Sequence, residues 1–260
     1  YRSAPFYSLN DSLSADELTS QIGLMKQGGF GGVFLHSRTG LLTPYLSDEW
    51  FKMMDAGVKA CQDNGMEAWF YDEDKWPSGF AGGIIPRMND AFRACTMGRM
   101  PLDYELTSDD TLLLEDGRYK YVAQRDAMGQ SWYNGTCWVD LMNPAMVDAF
   151  IECSYRPYVE RYSGMKGVKG IFTDEPQISA RPMPGSDGRI SYSPVMDSVF
   201  TAMWGYDLKE AIPGLFEEVG QWRKARLHYY RTIARCMDEA VSNRIGSYCA
   251  ENVLIWTGHY

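Results

Sequence analysis

The amino-acid sequence predicts an α/β fold built on a parallel sheet, and three observations lead to that prediction. Short apolar segments recur along the 260-residue chain, and each is followed by a stretch with helical spacing of its apolar positions. Several of these segments are continuously apolar, which is typical of strands covered on both faces. Each segment also ends in polar side chains. Strands that alternate with helices in this way favour a (β/α)8 barrel of the TIM type.

The first two strand-helix units are well marked. Residues 6–10 predict a short strand, and Ser14 and Glu17 then match a capping box at the start of a helix. Residues 32–35 form a continuous apolar stretch that predicts the second strand. Ser47 is expected to cap the second helix.

Five strands are predicted in total. The later elements are, in chain order, a strand at 66–71, a helix at 143–162, a strand at 168–173, a helix from Ser193, a helix at 217–248 and a strand at 253–257. A closed barrel needs eight strands, so we expect residues 1–260 to be an incomplete barrel containing about the first five. A complete five-stranded doubly wound domain is the alternative, although no dinucleotide glycine loop follows the first strand.

The pattern changes between residues 95 and 141. Apolar segments there flank Asp116-Gly117 and Asn134-Gly135, dipeptides that favour two-residue hairpin turns. We therefore expect two β-hairpins, forming a small antiparallel insertion within the barrel domain. Loops that follow barrel strands are the usual place for such an insertion.

The composition bears on which classes of molecule the chain is expected to bind and on its expected location. The net charge is −9, with 34 acidic and 25 basic residues, and no basic cluster is present, so nucleic acid is not an expected partner. No apolar segment approaches transmembrane length, so no membrane partner is expected either. The six cysteines are scattered without metal spacing, which favours a reducing, cytoplasmic location. Because the chain begins at Tyr1 rather than Met, a removed leader and secretion stay open.

Polar residues follow every predicted strand, where barrel enzymes place their active sites. Taken singly, each is equally well explained as a helix cap or a solvated loop charge. Taken together, they predict an acid-rich site at one end of the sheet. They are Asn10, Asp11, His36, Arg38, Asp72, Glu73, Asp74, Asp174, Glu175 and His259.

Glu175 is the strongest catalytic candidate, in a segment 170–176 that reads Gly-Ile-Phe-Thr-Asp-Glu-Pro. Glycosidic cleavage needs a carboxylic acid that protonates the departing oxygen, and a second carboxylate that attacks or activates water. Glu175 suits the first role because partial desolvation after an apolar strand, and the neighbouring Asp174, would favour its protonated form. The structural alternative is a turn in which Pro176 fixes the backbone.

The acids at 72–74 have several candidate roles. Glu73 is the candidate for the second carboxylate, with Asp174 as a further catalytic candidate, while Asp72 and Asp74 suit sugar hydroxyls. The cluster is also compatible with a calcium ion, which prefers oxygen ligands. Three consecutive acids on a strand cannot all face one way. The flanking aromatic rings suit the apolar face of a sugar and belong to Trp69, Tyr71 and Trp76, with barrel core as the alternative for Trp69.

Four other residues at the strand ends are predicted to bind substrate. His36 and His259 are expected to hydrogen-bond hydroxyl groups, because three histidines without metal-binding spacing are a weak signal for a metal. Arg38 either orients the substrate or pairs with one of the acids. Asn10 is expected at the end of the first strand. No residue is assigned as a metal ligand.

Five segments of the chain carry a resemblance to a known family, namely 31–38, 45–50, 71–79, 170–176 and 257–260. In these segments the chain resembles α-L-rhamnosidase-type proteins related to glycoside hydrolase family 106. The likeness extends over nearly the whole chain except the hairpin insertion. It implies a barrel that cleaves terminal sugars from plant or microbial glycans, with an acid at Glu175 and room for calcium. It also implies a longer parent polypeptide, whose later barrel strands and β-domains would be partners of this part.

The expected function is therefore cleavage of a terminal, rhamnoside-like sugar by general acid catalysis with a pair of carboxylates. The second carboxylate is either in the 72–74 cluster or on a later strand, so this chain alone need not be active. Two alternatives stay open, namely a noncatalytic carbohydrate-binding domain and a metal-dependent barrel hydrolase. Carbohydrate is the expected ligand both of the glycosidase and of the carbohydrate-binding domain.

Overall fold

The computed structural model describes residues 2–178 and 188–259 and shows a mixed α/β fold. The strands, numbered in chain order, are Phe6–Leu9 (β1), Gly32–Ser37 (β2), Glu67–Tyr71 (β3), Cys95–Met100 (β4), Asp110–Glu115 (β5), Lys120–Arg125 (β6), Val168–Asp174 (β7), Ile190–Tyr192 (β8) and Ile255–His259 (β9). The α-helices are Ala15–Gln27 (α1), Asp48–Asp63 (α2), Ile84–Met88 (α3), Pro144–Phe150 (α4), Arg156–Tyr162 (α5), Val195–Trp204 (α6), Leu208–Phe216 (α7), Trp222–Met237 (α8) and Asn243–Glu251 (α9).

The chain divides into two compact units. The parallel unit comprises Tyr1–Gly82, Phe150–Pro176 and Ile245–Tyr260, and the antiparallel unit comprises Gly83–Ala149 and Gln177–Arg244. The first contains a five-stranded sheet of order β1-β2-β3-β7-β9, and the second a four-stranded sheet of order β5-β6-β4-β8. Each unit therefore has a sheet of its own.

All neighbouring strands of the five-stranded sheet are parallel. The first four lie within one or two residues of the predicted strands, and β9 begins two residues later than expected. Side chains alternate between a face covered by helices and a second face that carries many rings. On the covered face, Val33, Leu35 and Phe70 are fully buried. The predicted parallel sheet is thus confirmed.

The ring-bearing face of this sheet is concave. The ring of Phe6 on β1 lies 4.8 Å from that of Phe172 on β7 and 6.3 Å from that of His259 on β9. In a flat sheet β1 and β7 would be three steps of about 4.8 Å apart, or about 14 Å. The sheet is therefore strongly curved, as in the wall of a barrel. Within the described residues it stays open between β1 and β9, so a closed barrel stays a prediction.

Strands β7 and β9 approach each other closely at two glycines. A Cβ added to Gly170 would overlap the carbonyl oxygen of Ile255, its partner in the register. A Cβ added to Gly258 would likewise overlap the carbonyl oxygen of Thr173. Glycine is required at both positions because of this backbone contact.

The antiparallel unit packs its sheet against helices α6, α7 and α8. Its core contains Met97 on β4, Tyr121 on β6, Phe200 on α6 and Tyr229 on α8, all fully buried. Strand β8 pairs with β4, which ties the segment after residue 188 to the earlier hairpin. The predicted insertion at 95–141 is therefore part of a larger unit that also includes helices.

One of the two predicted hairpins forms. Strands β5 and β6 pair across the Asp116-Gly117 turn, in which Gly117 has a φ of +78°. The hairpin predicted around Asn134-Gly135 was wrong, because this stretch forms a 3₁₀ turn at Ser131–Tyr133 and a single bridge. Residues 136–142 are all buried, so they pack on both sides of the chain instead of alternating as an exposed hairpin does.

The helix ends differ from prediction in two places. Ser14 occupies the N-cap position of α1 but makes no capping hydrogen bond with its side chain, whereas the Ser47 hydroxyl accepts one from the Trp50 amide at 3.2 Å. The helix expected at 217–248 instead starts at Trp222 and contains a π-helical stretch, Asp238–Ser242, between α8 and α9. Helix α7 was not predicted, although its start carries a complete capping box.

Candidate active site

The carboxyl ends of the five parallel strands lie along one edge of the curved sheet. Asp174 and His259 are register partners on neighbouring strands, and Tyr71 pairs with Phe172 on the same face. Ser8 and His36 are register partners at the same end. Parallel pairing thus brings several of the predicted residues to one place.

Asp174 is at the centre of this group, with only 7% of its surface exposed. The Tyr71 hydroxyl donates to its Oδ2 at 3.1 Å, and its Oδ1 lies 3.1 Å from Nδ1 of His259. Its backbone N–H donates to the Ser78 hydroxyl at 2.8 Å. Asp174 therefore connects the end of β3, the loop after it and the end of β9.

His259 is held by this contact while its side chain stays 59% exposed. The ring also packs edge-on against Phe172, with the centroids 5.0 Å apart. When Nδ1 carries the proton that Asp174 accepts, Nε2 is left as a proton acceptor. A carboxylate that orients an exposed imidazole in this way is an arrangement used for proton transfer.

Glu175 occupies a strained backbone position directly after β7. Its φ is +46°, which is uncommon for a residue with a side chain and is found more often at functional sites. Its amide donates to the His259 carbonyl at 3.0 Å, and its Oε2 accepts from the Trp76 indole N–H at 3.0 Å. The side chain is exposed, so the partial desolvation expected from the sequence is not found.

Asp72 is fully buried and its carboxylate is engaged on both oxygens. The Ser78 hydroxyl donates to Oδ1 at 2.6 Å, and the Tyr155 hydroxyl donates to Oδ2 at 2.5 Å. Burial raises the pKa of Asp72 to about 6, against the effect of these donors. Asp72 is thus a structural acid beneath the site, and it does not face the solvent.

Glu73 is also fully buried, and its two oxygens accept four backbone hydrogen bonds. The donors are the amides of Asp74 at 2.8 Å, Gly79 at 3.0 Å, Ala81 at 2.7 Å and Gly82 at 2.6 Å. Burial raises the pKa of Glu73, and the amides oppose this rise by stabilising the carboxylate. These contacts fix the loop after β3 around the Glu73 side chain.

His36 lies in a closed environment on β2, with 2% of its surface exposed. Its ring stacks on that of Tyr71, with centroids 3.7 Å apart. Burial, and then the positive charge of Arg38, lowers the pKa of His36 to about 4, so the ring is neutral near pH 7. Among the described residues its Nδ1 has no hydrogen-bond partner.

The remaining predicted residues lie at the edge of this group. Asn10 and Arg38 are exposed, and Asp74 and Trp76 are half-buried. Within residues 2–178 and 188–259, Arg38 makes no ion pair with the nearby acids. Asn10 likewise makes no side-chain hydrogen bond with the Asp174 group in that part of the chain.

Two residues of the site were not found from the sequence. Ser78 donates to Asp72 and accepts from the Asp174 amide, and Tyr155 reaches Asp72 from the π-helical stretch between α4 and α5. Ser78 follows the acid cluster by only four residues, so its place in the loop was a usable signal. Tyr155 is far away in sequence, within the helix predicted at 143–162, and no local signal connects it to the acid cluster.

Asp72 and Glu73 are poorly placed to supply the six to eight oxygen ligands that a calcium ion takes. The oxygens of Asp72 and Glu73 already accept hydrogen bonds from Ser78, Tyr155 and the loop amides. In the described part of the chain no group of three His, Cys, Asp or Glu is placed to hold a metal ion.

Two further features concern the whole chain. All six cysteines are unpaired, and five of them are buried. Over the residues that the structure describes, we find no helix with both the length and the apolar character needed to cross a membrane.

No protein-family model matches the chain, and no curated protein sequence matches it. Among solved structures, a beta-galactosidase from the psychrophilic Marinomonas ef1 matches with a TM-score of 0.44 and 10% sequence identity. The match covers 83% of this chain and 28% of that one, so the chain spans well under a third of the length of that enzyme. A likeness this distant bears on neither activity nor substrate, and the resemblance to α-L-rhamnosidase-type proteins stays a prediction.

Proposed function

We propose that the chain provides the acid-bearing part of a glycosidase site, in which Glu175 protonates the departing oxygen. The observation that carries the proposal is the strained, exposed position of Glu175 at the end of β7, beside the hydrogen-bonded pair Asp174 and His259. Strained backbone of this kind persists where the surrounding contacts hold it, and it clusters at functional sites.

Glu175 has the geometry that a general acid needs. Its Oε2 accepts from Trp76, which leaves Oε1 to carry a transferable proton. Because the side chain is exposed, a substrate can reach it. A sugar that binds over it excludes water from the carboxyl group. The half-buried Trp76 ring offers a surface for the apolar face of that sugar.

The neighbouring residues have supporting roles in this proposal. Asp174 orients His259, whose exposed imidazole binds a sugar hydroxyl or accepts a proton. Glu73 acts as a positioning residue that holds the loop after β3, because its oxygens are engaged by loop amides. The second catalytic carboxylate then belongs to another part of a longer polypeptide.

The substrate is proposed to be a terminal, α-L-rhamnoside-like sugar of a glycan. Support for this finer assignment comes from the sequence resemblance in the segments 31–38, 71–79 and 170–176. The proposal uses no metal ion, because the carboxylates of Asp72 and Glu73 are engaged in hydrogen bonds.

The test compares the full-length protein with its Glu175→Gln variant on aryl glycosides. We expect the variant to lose about a hundredfold to ten-thousandfold in kcat/KM on substrates with poor leaving groups, because these need the proton. Substrates with activated leaving groups should be affected far less. The control is Glu67→Gln, an exposed glutamate at the other end of β3. An equal loss on both kinds of substrate would remove Glu175 from this role.

A noncatalytic carbohydrate-binding domain is the second candidate. It is favoured by one observation, namely that Asp72 and Glu73 are both buried with their oxygens engaged. Calorimetry with sugars, run beside the activity assay, separates the two functions. Sugar binding without turnover by the full-length protein would support the binding domain, and turnover would exclude it.

A further inference from the structure

The antiparallel unit contains a cavity of about 460 Å³ whose function is unassigned. It lies between one face of the four-stranded sheet and the start of helix α6, and its volume is in the range of small-molecule sites. Its lining includes Cys95, Leu112, Leu113, Ala123, Arg125 and Val195.

Apolar atoms make up most of the wall area of this cavity, although charged residues also line it. Cys95 and Ala123 are buried in its interior, while Leu113 and Val195 are half-buried. Leu112 is 42% exposed and marks the side that opens to solvent. Such a wall favours an apolar group, because binding there removes apolar surface from water.

Two arginines, Arg93 and Arg125, line this cavity, and among the described residues only Arg93 pairs with acids. Arg125 is the last residue of β6, and alternation places it on the same face as Ala123 and Tyr121, which belong to the core under the helices. Its Cα lies opposite that of Cys95 in the sheet. The side chain is half-buried, and in the described part of the chain its guanidinium makes no hydrogen bond or ion pair.

The acids around the cavity are already engaged. Asp109 pairs with Arg93 at 2.9 Å, and Asp90 lies 3.5 Å from the same guanidinium. The Tyr192 hydroxyl lies 3.1 Å from both oxygens of Asp197.

A further cation, Lys209, is exposed at the rim and interacts electrostatically with Asp197. The positive charge of Arg125 is therefore left to a ligand.

We propose that this cavity binds a small monocarboxylate with an aliphatic tail. The carboxylate pairs with the Arg125 guanidinium, and the tail lies against Leu113, Ala123 and Val195. Arginine presents two parallel N–H groups to a carboxylate, so the pair is both strong and directional. The site is independent of the proposed glycosidase chemistry, because every residue that lines the cavity belongs to the antiparallel unit.

The test uses octanoate and 1-octanol as probes in isothermal titration calorimetry with the full chain. We expect octanoate to bind more tightly than 1-octanol, which has the same tail without the charge. Arg125→Gln should weaken octanoate binding about tenfold or more and leave 1-octanol unchanged, because only the charged hydrogen bonds are lost. The matched control is Arg231→Gln, an exposed arginine on α8 outside the cavity, which should bind both probes like the original protein.

A second variant keeps the test decisive if Arg125→Gln does not fold. Val195→Phe places a ring in the cavity and should weaken octanoate and 1-octanol together, while the far-ultraviolet circular dichroism stays unchanged. No octanoate binding by the original protein would overturn the proposal. So would equal octanoate affinity after Arg125→Gln, or octanoate binding that Val195→Phe leaves intact.

Discussion

At the scale of single residues, His36 shows how the site environment controls charge. Its ring lies against Tyr71, and the charged groups that act on it are Arg38, which disfavours the protonated form, and Asp174, which favours it. Burial outweighs both and lowers its pKa to about 4 from an ordinary value of 6.5. A neutral imidazole beside Asp174 leaves the hydrogen bonds of that carboxylate to Tyr71 and His259.

This burial predicts a pH-dependent contribution to stability. Between pH 6.5 and about 4 the unfolded chain binds the His36 proton while the folded chain does not. The free energy of unfolding should therefore fall as the pH falls through this window, by up to about 3 kcal/mol. His36→Phe, which keeps a ring on Tyr71 but cannot be protonated, should lose this part of the dependence. Urea unfolding at pH 7 and pH 4.5 measures it.

Other titratable groups also make the stability depend on pH, in the opposite direction. The comparison of the original protein with His36→Phe cancels their contributions. Burial raises the pKa of Asp72 to about 6 and of Asp140 to about 7, so both bind protons more readily when folded and add stability as the pH falls. Both acids are present in each protein, so the difference isolates His36. Identical pH dependence of the original protein and the variant would show that His36 is not held neutral.

At the scale of elements, the loop after β3 depends on one carboxylate. Glu73 accepts from the amides of Gly79, Ala81 and Gly82, which curve around it in a stretch rich in glycine. Ala81 and both of these glycines have positive φ angles. The conformation of the loop therefore depends on Glu73, which the sequence predicted to be a catalytic carboxylate.

Glu73→Gln should destabilise the fold. The glutamine amide would replace one acceptor oxygen by a donor that faces backbone N–H groups, at a cost of about 3 kcal/mol. Glu67→Gln, at the start of the preceding strand β3, is the control. It weakens only an exposed pair with Lys169 at 3.5 Å, which contributes well under about 1 kcal/mol. Urea unfolding of the three proteins gives the values, and a similar small loss for both variants would refute the structural role of Glu73.

The contact between β7 and β9 also makes a prediction. Gly170→Ala should destabilise the sheet by more than about 2 kcal/mol, because the new Cβ would overlap the Ile255 carbonyl oxygen. Gly23→Ala is the matched control, since nothing lies within 4 Å of the added Cβ in helix α1. There alanine should stabilise by up to about 1 kcal/mol. Thermal unfolding of both variants checks the contrast, and a tolerated Gly170→Ala would contradict the close approach.

The sequence predicted elements well where one local signal dominates. The five parallel strands are short, largely apolar segments, and Ser47 is a capping residue with an amide in reach. Prediction from the sequence failed where contacts between distant parts of the chain determine the secondary structure. Residues 136–142 are buried on both sides of the chain, and strand β8 has only three residues, so neither shows an alternating pattern.

At the scale of the whole molecule, parallel topology explains which site residues were predictable. Residues at the carboxyl ends of parallel strands share one edge, so the proximity of Asp174 and His259 was predictable from their positions alone. What each carboxylate contacts was not predictable, because Ser78 and Tyr155 reach Asp72 only in the folded chain. The curvature that brings Phe6 near Phe172 is likewise a tertiary property.

The antiparallel unit could not be derived from the sequence as a whole. It combines Gly83–Ala149 with Gln177–Arg244, two segments separated by the strand β7 of the other unit. Its core joins side chains of β4 and β6 to helices that come later in the chain. Local periodicity identifies such helices singly but gives no information on which sheet they cover.

The central claim is that Glu175 is a general acid, and the dependence of kcat/KM on leaving-group acidity tests it most directly. A series of aryl glycosides with graded phenol leaving groups is assayed with the full-length protein and with Glu175→Gln. The original protein should show a shallow dependence, because Glu175 protonates every leaving group, and the variant a steep one. Equal slopes for the two proteins would contradict the account.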